Sequence, residues 1–285
     1  MVVRMSAPSP ARSIVPAVVG PDVSALVTED DTPVDNIYSE KQQRLLTEPL
    51  YSGWAGPAQE EGGGPRTFVA TANVGVFSST HEPPIVPDVL VSVDVTFHED
   101  ILAKEHRTYL IWEFGKAPDL VIEVVSNREG QELTEKKKRY RRLHIPRYVV
   151  WDPGKHLGEV MFRAFELRGM LYVKSKETFF EDLGLGLVEW EGAYEGCTSR
   201  WLRWCDREGR LIPTGAERAD AERERADAER VRAEAERERA DAERGRADAE
   251  QVRADAERGR ADAERERARR LAERLRAMGV DPDAE

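Results

Sequence analysis

The sequence has 285 residues but only two cysteines, Cys197 and Cys205. They lie eight residues apart with no CxxC spacing and no histidine partner. That pattern excludes a disulfide framework and a zinc site, and points to reduced thiols in a cytoplasmic protein. Long apolar runs are missing too. No segment approaches the ~20 apolar residues a membrane helix needs. The short run Ile14-Val15-Pro16-Ala17-Val18-Val19 is interrupted by proline and makes no secretory leader core. The expectation is a soluble protein with no membrane partner. Excess positive charge is also absent, with 43 Lys+Arg against 54 Asp+Glu and a net charge of −11. Residues 214–285 carry 22 acids and 18 arginines without a lysine, leaving 32 acids and 25 bases for residues 1–213. Neither part has the broad positive field of a histone-like or repressor-like binder, but a nuclease with a small local basic cleft stays open. The five histidines (His81, His98, His106, His144, His156) show no ligand spacing.

What is present divides into four segments. Residues 1–36, rich in Pro, Ser, Ala and Asp and without periodicity, read as a disordered lead-in. Residues 37–213 read as one α/β domain. Ser39 followed by Gln42 has the form of a capping box, predicting a helix over 40–48 that stops at Pro49. Residues 67–77 suggest one strand or a bent pair, and 89–95 an apolar strand reached through Pro87-Asp88. Residues 96–116 read as a loop with a short element. A strand over 119–125, a helix over 131–143 and a strand over 147–151 follow. The two strands are continuous apolar runs joined through a helix, so a parallel pair is expected. Arg168-Gly169 marks a hairpin, and 182–212 closes the globular part, with Trp201 and Trp204 read as satellite core rather than a base-stacking platform.

Residues 214–278 are a heptad-repeat helix built on Glu217-Arg218-Ala219-Asp220-Ala221-Glu222-Arg223, followed by a tail over 279–285. Ala, Glu and Arg favour helix, and opposite charges fall three and four apart. A coiled coil wants large apolar seam residues, whereas the first position runs Glu224, Val231, Glu238, Gly245, Val252, Gly259. A solvated single helix and a weak Ala-packed coiled-coil oligomer both fit. Self-association or a protein partner through 217–278 is therefore an open expectation.

One residue does not belong where it stands. Glu123 lies inside Leu120-Val121-Ile122-Glu123-Val124-Val125, and an ionised carboxylate removed from water is costly unless a cation or donors meet it. With Asp88 on a neighbouring strand, two carboxylates can hold a hard cation such as Mg²⁺. Alone, Asp88 fits a turn cap after Pro87 equally well. Asp119 lies ~13 Å along the strand from Glu123, too far to share one metal, so a turn or strand-start role is expected for it. On the following helix Leu133, Tyr140 and Leu143 define an apolar face. Lys136 projects within that face, Lys137 at its edge and Lys138 to solvent. Lys136 either snorkels or is aimed at the buried glutamate.

Val86-Pro87-Asp88-Val89, Pro118-Asp119-Leu120-Val121-Ile122-Glu123-Val124-Val125-Ser126, Lys136-x-x-x-Tyr140 and Ile145-Pro146-Arg147-Tyr148-Val149-Val150-Trp151-Asp152-Pro153 together resemble the Uma-type restriction endonuclease family of the PD-(D/E)XK nuclease superfamily. The resemblance covers about residues 36–213. It implies an α/β, restriction-endonuclease-like mixed sheet core, here followed by a long charged C-terminal helix, and hydrolysis of DNA phosphodiester bonds with Mg²⁺ or Mn²⁺. It assigns Asp88 and Glu123 as the metal-binding catalytic acids. The superfamily lysine normally follows the second acid by two positions, where this chain has Val125. The resemblance therefore points to Lys136 on the next helix. Glu40 matches an auxiliary metal-binding acid near the start of the first helix, although a solvated glutamate fits there too. The rival expectation is a catalytically inactive nuclease-fold module acting through its helical tail. A third makes the tail a spacer and the globular part its anchor.

Overall fold

A computed structural model describes residues 21–24, 26–28, 36–54, 56, 66–127 and 131–278. In chain order the first elements are α1 (Ile37–Gly53), β1 (Phe68–Ala72), β2 (Val76–Phe77), β3 (Val89–Val93), β4 (Tyr109–Leu110), α2 (Ile111–Phe114) and β5 (Leu120–Val124). A π-helical turn at Glu132–Lys136 leads into α3 (Lys137–Arg142), then β6 (Arg147–Trp151), β7 (Phe162–Arg168) and β8 (Leu171–Ser175). The last are β9 (Phe179–Phe180), β10 (Leu185–Tyr194), β11 (Cys197–Cys205) and α4 (Gly215–Ala277).

Six strands form one mixed sheet in the order β1-β3-β5-β6-β7-β8. Within it only β5 and β6 run parallel, with Glu123 opposite Val150, because α3 carries the chain back between them. The parallel pair expected from the sequence is therefore present. β5 is buried along its whole length, which is why it reads as a continuous apolar run. One face of the sheet packs Val89, Val91, Ile122, Val149 and Trp151 against Leu46 and Leu50 of α1 and Leu202 and Trp204 of the β11-β10-β9 sheet. The opposite face packs Leu90, Val121, Tyr148 and Val150 with Tyr140 of α3.

Several local expectations need correction. Asn36, not Ser39, caps α1, with its side chain accepting from the Ser39 N–H at 2.9 Å. The helix does not stop at Pro49 but carries it inside. Proline in a helix interior costs about 3 kcal/mol, yet burying Leu46 and Leu50 returns about 1.5–3 kcal/mol each. The expected helix over 131–143 splits into a π-helical turn and the six residues of α3. Residues 182–212 build the long β10–β11 hairpin, in which Trp201 and Trp204 are core residues.

Most of the lead-in over 1–36, and the tail over 279–285, lie outside the described residues. Within the described part of the lead-in, Leu26 is buried against Phe77 and Leu110. The chain divides into two compact units between residues 218 and 219. In the first, Thr214 and Glu217 form a capping box: the Glu217 N–H donates to Thr214 Oγ1 at 3.2 Å, and the Thr214 N–H to Glu217 Oε2 at 2.8 Å. Arg203 clamps Glu217 with two bonds of 2.8 and 2.7 Å. The whole of α4 is 63 residues with no buried side chain, about 95 Å at 1.5 Å per residue. No described helix is long and apolar enough to cross a membrane.

Candidate active site

Strands β3 and β5 pair antiparallel with Val89 opposite Ile122. Continuing that register by one residue sets Asp88 opposite Glu123. Side chains alternate along a strand, so Glu123 shares the face of Val121 and points towards α3. It has no exposed surface. Burial is made tolerable by two donors: Tyr140 Oη donates to Oε1 at 2.5 Å, and Lys136 Nζ donates to Oε2 at 2.8 Å. Asp88 is half-buried and equally well held. Its Oδ2 accepts from the Val124 N–H at 2.7 Å and its Oδ1 from Gln43 Nε2 at 2.7 Å. Gln43 is itself oriented by Asn73, whose Nδ2 donates to Gln43 Oε1 at 2.8 Å. Asn73 adopts a left-handed conformation (φ 54°) at the turn after β1.

The π-helical turn brings up the basic group. Glu132 is buried on this turn, with Oε1 3.8 Å from Lys136 Nζ and Oε2 without a hydrogen-bond partner. Tyr148 Oη donates to the Glu132 carbonyl at 2.8 Å and ties the turn to β6. Lys137 stands 3.5 Å over the Phe165 ring, and Lys138 pairs with Glu135 at 2.7 Å in solvent. Of the three consecutive lysines, only Lys136 meets Glu123.

Two carboxyls, Glu123 and Glu132, thus flank one ammonium that also feels the Asp88 charge, and the charge is not balanced. Burial, and next the Asp88 charge, push the Glu123 carboxyl up to about 8, against the opposing pull of Lys136 and Tyr140. Burial, the largest single influence, would lower Lys136, but the Glu123 charge and hydrogen bond together with the Asp88 and Glu132 charges hold the ammonium above its ordinary value. Tyr140 is driven well above the ordinary tyrosine range by burial and then by Glu123.

This donor set fits a hard divalent cation. Asp88 and Glu123 offer oxygen ligands only, and each carboxylate accepts about four bonds, of which two are used. The surplus negative charge and the orphaned Glu132 Oε2 are what a cation would compensate. Among the described residues no cluster of three or more His, Cys, Asp or Glu has metal-holding geometry, so coordination would be completed by water. Glu40 is not brought into this cluster. It is exposed and bound to Arg44 at 2.5 and 2.7 Å. One turn further along α1, Gln43 reaches Asp88 instead. Asp119 stands just before β5, accepting from the Val93 N–H at 2.9 Å and from Lys116 at 2.7 Å. Val125 is buried in the apolar cluster with Tyr140 and Tyr148.

Three participants were not singled out in the sequence for this chemistry: Gln43, Glu132 and the Tyr140 hydroxyl. Glu132 sits four residues before Lys136, and Gln43 sits three before Leu46 on a buried stripe. Both spacings were available clues.

A six-stranded mixed sheet with helices against it and a long C-terminal helix fits the restriction-endonuclease-like fold. Residues 30–171 match the Uma2 family, described as "Putative restriction endonuclease", and in this segment the chain belongs to that family. The match spans α1 to the β7–β8 hairpin and holds Asp88, Glu123 and Lys136. The β9–β11 sheet and α4 lie beyond it. No curated protein matches the chain.

Proposed function

We propose that the chain is a metal-dependent endonuclease that hydrolyses DNA phosphodiester bonds at the Asp88–Glu123–Lys136 cluster. The observation that carries this reading is the Lys136 ammonium 2.8 Å from a fully buried carboxylate that faces Asp88 across β3 and β5. Asp88 and Glu123 would hold Mg²⁺ or Mn²⁺. Such a cation, when bound, supplies a Lewis acid for a phosphate oxygen and for water. The chain's own groups do the rest. The Val124 N–H and Gln43 fix the Asp88 carboxylate, and Tyr140 fixes that of Glu123, so both are preorganised. Lys136 spends one donor on Glu123 and, being partly exposed, keeps others for the attacking water or the phosphate.

The test is plasmid DNA incubated with Mg²⁺ or Mn²⁺ and the wild type, Glu123→Gln or Lys136→Ala. Cation-dependent nicking by the wild type, lost in both variants, is expected. Equal nicking by all three removes the proposed site. A second reading, an inactive nuclease-fold module acting through its helix, is favoured by Val125 standing where the superfamily lysine normally stands. Absence of nicking by the wild type with either cation selects it. For residues 217–278 we propose self-association or partner capture, supported by Val231 and Val252 standing exposed on α4. Light scattering of the full chain as a monomer, with no partner bound, excludes self-association.

A further inference from the structure

Six of the seven residues from Lys136 to Arg142 are cationic and none is acidic, within a segment (1–213) that carries 32 acids and 25 bases. Their fates differ. Lys136 is spent on Glu123, Lys138 on Glu135, and Arg139 donates to the Pro83 and Pro84 carbonyls at 2.8 and 2.9 Å. Lys137, Arg141 and Arg142 have no carboxylate within ion-pair distance among the described residues. Lys137 and Arg141 lie four apart on α3, hence on one face. With Leu133, Thr134, Leu171 and Tyr172 they line a groove of about 330 Å³ between α3 and the edge strand β8. Its cationic wall begins one residue from Lys136, and its floor is apolar and aromatic.

A stable protein has no structural need for unpaired cations held side by side, because like charges repel. Unpaired cations on a groove whose wall follows Lys136 in the chain suit a polyanion that continues past the scissile bond. We propose that the Lys137–Arg141 face of α3 is the surface that holds the nucleic-acid backbone flanking the cleaved phosphate. The two side chains are ~6 Å apart along the helix axis, close to two nucleotide steps at ~3.4 Å per strand. Lys137 suits the role because Phe165 holds its Nζ on one side while no anion claims it. The remainder of the segment is net acidic and disfavours non-specific binding. This inference rests on the endonuclease reading for its position, but not for its test.

The experiment measures binding of a labelled DNA duplex by the full-length chain in EDTA, over a series of salt concentrations, so that cleavage plays no part. Each phosphate contact contributes about 0.9 to the slope of log K against log salt. Lys137→Gln/Arg141→Gln is expected to reduce that slope by about 2 and to weaken binding alike for unrelated sequences. Arg141→Gln alone, which leaves the Phe165 contact intact, should lower it by about 1 and guards against a folding defect in the first variant. An unchanged slope in both variants overturns the proposal, as does no duplex binding by the wild type at the lowest salt. Equal binding of polyglutamate and DNA also overturns it, since the surface would then fit an acidic protein segment. Salt-dependent binding through these residues without nicking in Mg²⁺ would retain this surface and reject the endonuclease. Nicking with no change in slope would do the reverse.

Discussion

Lys136 Nζ lies 2.8 Å from Oε2 of Glu123, thirteen residues upstream, and the two meet only because a π-helical turn feeds α3 across the face of β5. The pair is asymmetric. Glu123 has no exposed surface, while the Lys136 side chain is about a third exposed. Removing the lysine therefore leaves a buried acid, whereas removing the acid leaves an amine that can still reach water.

Lys136→Met should push the Glu123 carboxyl still higher than its value of about 8, because the ammonium is the strongest of the groups holding it down. A ¹³C carboxyl titration of the metal-free protein measures this. A midpoint that stays put or falls in the variant would show that the ammonium does not act on Glu123.

Glu123 also sets a pH dependence of stability. Its folded value of about 8 lies above the ~4.3 of an unfolded glutamate, so its contribution is complete below the unfolded value and is lost as pH rises through the folded one. Glu123→Gln does not ionise and escapes that loss. Without divalent ions, the urea midpoint of the variant should gain on the wild type from about pH 5 to about pH 8. A gap that is constant across the range contradicts the raised carboxyl.

At the start of α4, Glu217→Ala removes one half of the capping box and both bonds from the buried Arg203 guanidinium. Arg203 keeps the Ile212 carbonyl and the Trp190 face. A loss of about 2 kcal/mol in urea unfolding of the full chain is expected. A loss below about 0.5 kcal/mol would class the clamp with ordinary surface pairs.

The sheet was legible where burial is written as continuous apolar sequence. β5 and β6 are such runs, and the short helical stretch between them implied the parallel pairing. Glu123 was legible for the same reason, as the one charge in a strand that water does not reach. The failures have a common physical cause, which is that tertiary burial overrides a local rule. Pro49 reads as a stop, but α1 continues because Leu46 and Leu50 are buried against the sheet. Gln43 reads as an ordinary polar helix residue, and only the docking of α1 beside β3 brings it to Asp88. Tyr140 was counted for its ring, although its hydroxyl carries the shorter bond to Glu123. The π-helical turn sets Lys136 on Glu123 and its Glu132 carbonyl under the Tyr148 hydroxyl, and its period cannot be separated from α-helix by apolar spacing.

The most direct measurement is a crystal of the wild type soaked in Mn²⁺, with anomalous density locating the ion. The account predicts one ion held by both Asp88 and Glu123, with Lys136 still beside Glu123, and no ion at that place in Glu123→Gln. Mn²⁺ bound away from both acids in a protein that nicks DNA would contradict it.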